Sequence, residues 1–233
     1  MKNLIVASTS TVYGGGYLDY LSETLSELYK NTKEVIFIPY ARPGGMTHDA
    51  YTEKASEAFK KIGKELRGLH TFTNPQQALR EATGVFTGGG NTFVLVTALH
   101  QLQLMQPLRE VIFNGIPYLG TSAGSNICGV TMQTTNDMPI VYPPSFKTLG
   151  VLPFNINPHF LDPDPSSNHM GETRETRIKE FHTQNTIPVI GLREGSWLEV
   201  NGDTITLRGT LNARIYKQGK DPYELDTNSI VSF

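Results

Sequence analysis

The chain of 233 residues holds a single cysteine, Cys128, and a single tryptophan, Trp197. One cysteine excludes an internal disulfide and suits a reducing, cytoplasmic compartment. Charge of either sign is not in excess: 20 Lys and Arg face 22 Asp and Glu, a formal net charge of −2. No electrostatic footprint for nucleic acid or a membrane surface follows from that balance. No apolar run approaches the length needed to cross a bilayer. Residues 1–7 read as a strand running straight into Ser8-Thr9-Ser10, too short for the apolar region of a signal peptide. Dinucleotide and P-loop glycine spacings are missing, so no nucleotide cofactor is expected. No Cys/His set has zinc spacing. Asp162, Asp164, His169 and Glu172 come nearest to a metal set, but Pro163 and Pro165 interrupt them and the stretch reads as a loop. The expectation is no cofactor and no metal.

What is present is an alternation of strand and helix patterns. Apolar runs predict strands over 3–7, 35–39, 65–72, 84–87 and 116–120. Helical spacing predicts helices over 17–30, 48–62, 75–82, 92–99 and 107–114. Ala50, Ala55, Ala58, Phe59 and Ile62 mark the buried stripe of the second helix. Such alternation implies one α/β domain over 1–233, a doubly wound, mostly parallel sheet covered on both faces. Beyond about residue 195 the texture changes. Segments 197–200, 204–207 and 213–216 are short strand patterns, and Asn201-Gly202-Asp203 is a hairpin signal, so a small antiparallel β extension is expected there.

Ligands in parallel α/β sheets bind beyond the strand C-termini, and two motifs fall there. Gly120-Thr121-Ser122-Ala123-Gly124 follows the strand pattern at 116–119. A Gly-x-Ser-x-Gly turn between strand and helix holds its serine out at the sheet end, which makes Ser122 a candidate nucleophile and the Ala123 N–H a candidate oxyanion donor. Gly88-Gly89-Gly90 follows Val85-Phe86-Thr87 and precedes a helix, so Gly89 or Gly90 can offer the second donor. A serine nucleophile needs a base. Of six histidines, His48, His70, His100 and His182 fall in helix or strand patterns that suit structural or solvated roles. His159, on a loop after the apolar segment 149–154, is the candidate, with His169 its competitor. Two acids are placed to orient an imidazole: Glu194, after the strand pattern at 187–192, and Asp137, in Thr134-Thr135-Asn136-Asp137. Cys128, among Ile127 and Val130, reads as a buried core thiol rather than a nucleophile.

Five segments in order, Gly88–Phe93, Gly120–Asn126, Thr134–Ile140, Asn157–Phe160 and Gly171–Glu175, together resemble the peptidase E family of α-aspartyl dipeptidases, serine peptidases of type S51. The resemblance spans essentially the whole chain. It implies a doubly wound sheet similar to class I glutamine amidotransferases and flavodoxin, with Ser122 as nucleophile and His159 as base. It also implies a dipeptide substrate with an N-terminal aspartate, whose β-carboxylate Arg174 would bind. Both Asp137 and Glu194 match acids of the family site. Glu194 is favoured as the direct imidazole partner, which leaves Asp137 to shape the pocket or hold the substrate amine. Thr121 stands where better-known members carry tryptophan. The alternatives are a cyanophycinase-like or isoaspartyl peptidase on the same scaffold, or a non-catalytic protein binding an acidic ligand. The expected partner is a small peptide, with no nucleic acid or membrane, and the assembly a monomer or homodimer.

Overall fold

A computed structural model describes residues 1–164, 166, 168 and 170–233. His169, the second histidine of interest, lies outside the described residues. In chain order the elements are β1 (Asn3–Ala7), α1 (Ser22–Leu28), β2 (Glu34–Ile38), α2 (His48–Lys61), β3 (Glu65–Gly68), α3 (Pro75–Arg80), β4 (Val85–Thr87), α4 (Thr92–Gln101), α5 (Met105–Phe113), β5 (Tyr118–Thr121), α6 (Ala123–Asn126), β6 (Asn155–Pro158), α7 (Arg174–Gln184), β7 (Val189–Leu192), β8 (Ser196–Asn201), β9 (Thr204–Gly209), β10 (Ala213–Tyr216) and β11 (Tyr223–Leu225). Four of these seven helices start on a capping side chain. Thr47, Asn74, Asn91 and Thr173 each accept a hydrogen bond from a first-turn N–H, and Pro75 occupies the position where a missing N–H costs nothing.

The main sheet has the order β3-β2-β4-β5-β1-β8-β9. Its first five strands run parallel, and β8 and β9 add antiparallel to β1. Alternating side chains feed two cores. Leu4, Val6, Ile36 and Ile38 face the side covered by α4 and α5, while Ile5, Ala7, Val35 and Phe37 pack with Leu25, Tyr51 and Phe59 of α1 and α2. The doubly wound expectation therefore holds, with both faces of the parallel part buried.

The C-terminal extension is more divided than its sequence suggests. The β8–β9 hairpin, turning through Gly202 at φ +61°, prolongs the main sheet. β10 and β11 join β6 and β7 in a separate sheet of order β11-β10-β7-β6. β6 and β7 are parallel, with Pro158 opposite Leu192, so the residues that follow them emerge side by side. Two boundaries also differ. The helix expected from residue 17 begins with a short 3-10 turn at Asp19–Leu21, entered through Leu18 at φ +62°. The strand expected through residue 72 stops at Gly68, because the chain turns into a 3-10 segment, Leu69–Thr71. No helix among the described residues is long and apolar enough to cross a membrane.

Candidate active site

The end of β1 ties the site together. The Ala7 carbonyl accepts the Ser122 N–H at 3.2 Å and the Ser125 hydroxyl at 2.6 Å. One residue on, the fully buried Ser8 hydroxyl accepts from the His159 N–H at 2.9 Å and donates to the Leu192 carbonyl at 2.7 Å. The last residue of β1 and the residue that follows it thus hold the serine turn and clamp the second sheet beside it. Sequence reading passed over Ser8. Its only signal is a polar residue immediately after a buried strand, and its partners lie 151 and 184 residues away.

Ser122 sits between β5 and α6 at φ +54°, ψ −110°, a conformation costly for a residue with a side chain. Its hydroxyl lies 3.0 Å from His159 Nε2, and His159 Nδ1 lies 2.6 Å from Glu194 Oε1. An ionised carboxylate only accepts, so Nδ1 carries the ring proton and Nε2 is free to accept from the serine hydroxyl. His159 is itself held at φ +52°. Next to Glu194 in sequence, the Arg193 guanidinium donates to both Asp162 oxygens at 2.8 and 2.6 Å and to both Glu224 oxygens. These bonds hold the Asp162 and Glu224 carboxyls below their ordinary range and push Arg193 up. The His159 and Glu194 side chains are 36% and 48% exposed, so the line opens to solvent.

The glycine loop after β4 lies against the serine. A Cβ on Gly89 would come within 2.9 Å of Ser122 Cβ, and one on Gly90, at φ +145°, would collide with the Ala41 carbonyl. Among the described residues, the backbone N–H groups of Gly89, Gly90 and Ala123 have no protein acceptor. Gly89 and Ala123 flank Ser122, an arrangement that suits a developing oxyanion.

Asp137 is placed differently from Glu194. Its Oδ2 accepts from the Thr92 N–H at 2.7 Å and from the Thr135 hydroxyl at 2.9 Å, which sets the carboxylate on the first turn of α4. The hydrogen bonds of the His159 ring go to Ser122 and Glu194. Arg174 opens α7; burial, and then the like charge of Arg177, hold its pKa below the ordinary value, with the Asp137 charge acting the other way. Among the described residues it makes no ion pair or hydrogen bond.

Other candidates have structural employment. His70 Nε2 lies 2.8 Å from Asp49, and His182 Nε2 donates to the Ile187 carbonyl at 3.0 Å. Cys128 is fully buried, and burial pushes its thiol up to about 12, the opposite of an activated nucleophile. Among the described residues no group of three or more His, Cys, Asp or Glu side chains is arranged to hold a metal ion.

Comparison with known proteins gives a consistent result. A family model described as peptidase family S51 matches residues 4–208. The chain is 46% identical over 230 residues to peptidase E of Streptomyces coelicolor, covering 99% of this chain and 93% of that one. It is 45% identical over 227 residues to a Drosophila melanogaster protein named "Probable alpha-aspartyl dipeptidase", covering 96% and 93%. Among solved structures, a peptidase from an acI-B1 Actinobacterium superposes with TM-score 0.75 at 18% identity, covering 100% of this chain and 97% of that one, and so shares the fold.

Proposed function

The chain belongs to peptidase family S51, and we propose that it is a serine dipeptidase that removes an N-terminal aspartate from Asp-Xaa. The observation that carries this reading is the continuous line from Ser122 to His159 to Glu194, at 3.0 and 2.6 Å, beside two uncommitted backbone donors.

In the proposed reaction, His159 Nε2 takes the Ser122 proton as Oγ attacks the peptide carbonyl. The oxyanion is held by the Gly89 and Ala123 N–H groups. As the C–N bond breaks, Nε2 returns its proton to the leaving amine, and an aspartyl ester remains on Ser122. Water, deprotonated by the same nitrogen, then releases aspartate. Glu194 keeps the imidazole in the required tautomer and balances its transient positive charge. Arg174, a cation without a protein partner among the described residues, suits the substrate β-carboxylate. Asp137, the anion whose charge it feels, suits the substrate α-amine. Cyanophycinase-like and isoaspartyl substrates and a purely binding role are the readings this one displaces. The single unpaired Cys128 supports a reducing, cytoplasmic setting.

The test is hydrolysis of Asp-Leu against Asn-Leu, Glu-Leu and N-acetyl-Asp-Leu. The reading expects cleavage of Asp-Leu with large losses on the other three, since each removes or misplaces one recognised charge. Equal cleavage of Asn-Leu would remove the assigned role of Arg174, and inertness toward all four would sink the dipeptidase reading.

A further inference from the structure

Of the nine arginines, two make no hydrogen bond or ion pair among the described residues: Arg174 and Arg42. Arg42 sits on the loop that leaves the C-terminal end of β2. Its guanidinium lies over the Tyr51 ring, 4.3 Å from the centroid, and its Nε is buried with no acceptor. A buried donor left unmade costs roughly 1–3 kcal/mol, and a guanidinium resting on an aromatic ring keeps N–H donors for a carboxylate.

This cation is coupled to the oxyanion loop. The Tyr51 hydroxyl donates to the Gly89 carbonyl at 3.1 Å, and the Ala41 carbonyl accepts the Asn91 N–H at 2.7 Å. Arg42 is thus fixed at the same end of the sheet as Ser122, by contacts that run through the residues flanking the glycine turn. Pro43 restricts its backbone further.

We propose that Arg42 binds the C-terminal carboxylate of the dipeptide, so that the enzyme reads both ends of its substrate. The proposal rests on the dipeptidase reading. Asp-Xaa carries one ammonium and two carboxylates. The ammonium and the β-carboxylate belong to one residue and lie close together, which matches the neighbouring opposite charges of Asp137 and Arg174. The remaining charge is the carboxylate of Xaa, and Arg42 is the remaining arginine without a hydrogen bond or ion pair among the described residues, fixed at the sheet end that carries Ser122. Peptides amidated or extended at that end would then lose a charge-assisted contact.

The test compares Asp-Leu with Asp-Leu-amide, using the wild type, Arg42→Met and Arg42→Lys. Methionine keeps an apolar body over Tyr51, and activity on the amide reports that the variant is folded. The wild type should prefer the acid by about 10- to 100-fold in kcat/KM. Arg42→Met should lose that factor on Asp-Leu, through KM, and stay within about twofold on the amide, with Arg42→Lys in between. Three results would overturn the assignment: a wild type indifferent to amidation, a variant equally impaired on both substrates, or a loss that falls on Asp-Leu against Asn-Leu instead. A wild type that cleaves neither peptide would overturn the dipeptidase reading and this proposal with it, a result distinct from those three.

Discussion

Replacing each of the two candidate acids separates their roles. Glu194 Oε1 lies 2.6 Å from His159 Nδ1. In Glu194→Gln a neutral amide takes that place, and in one orientation its NH2 group donates to Nδ1, which moves the ring proton to Nε2 and leaves nothing to accept from Ser122. Loss of a buried orienting carboxylate in a serine triad costs about 10⁴ in kcat. Here the carboxylate side chain is 48% exposed, so water replaces part of its function and screens its charge, and the expected loss is about 10²- to 10³-fold in kcat. KM should change little, because no substrate charge is removed. Asp137→Asn should behave in the opposite way. Its Oδ1 can still accept from the Thr92 N–H that Asp137 now binds, so the helix start survives. The anion offered to the substrate amine is lost, and KM should rise about tenfold with kcat within about threefold. Steady-state kinetics on Asp-Leu distinguish the two cases. A Glu194→Gln enzyme with more than a third of wild-type kcat, paired with an Asp137→Asn enzyme nearly dead in kcat, would refute the assignment of Glu194 to the imidazole.

Gly89→Ala places a methyl carbon 2.9 Å from Ser122 Cβ; kcat should fall by about 10²-fold as the oxyanion donor is displaced, and the overlap should cost about 1–3 kcal/mol of stability. Ser8→Ala leaves the His159 N–H and the Leu192 carbonyl without their partner, a loss of about 1–3 kcal/mol, read as a fall of roughly 2–12 °C in Tm for a chain of this size. Its kcat should drop several-fold, and Ser8→Thr should recover both. Arg193→Met should remove an acid-sensitive part of stability. Asp162 and Glu224 are held low by Arg193, so their contribution is present above the ordinary carboxylate range near pH 4 and is lost as pH falls through their lowered values. Both are partly exposed, which limits the sum to about 1 kcal/mol. The urea midpoint of the variant should lie below wild type at pH 7 and converge with it near pH 2; an equal deficit at both pH values would contradict the ion-pair account.

The parallel sheet was legible because its strands are short apolar runs set between well-capped helices. The helices expected from residues 75 and 92 start there in the structure, behind the capping side chains of Asn74 and Asn91. The second sheet was not legible. β6, Asn-Ile-Asn-Pro, is four residues long and fully buried yet half asparagine, and the pairing of β10 with β7 and β11 is a tertiary contact that no local pattern specifies. Within the site, Ser122 and the glycine loop were candidates because each is a small-residue turn directly after a strand pattern, at the sheet end where ligands bind. His159 and Glu194 were candidates because each follows a strand pattern, and the parallel register of β6 and β7 then explains why they meet. Ser8 and Arg42 escaped notice for a physical reason. A serine after a strand and an arginine in a Pro-Gly loop acquire meaning only from contacts closed by tertiary folding.

The central claim is that hydrolysis of Asp-Leu runs through Ser122. The direct measurement is kcat/KM for Asp-Leu in the wild type and in Ser122→Ala, with a thermal melt confirming that the variant is folded. The account predicts a loss of about 10⁴-fold or more in the variant, leaving only what binding and the oxyanion donors supply. A folded Ser122→Ala enzyme retaining more than a tenth of wild-type kcat/KM would contradict it.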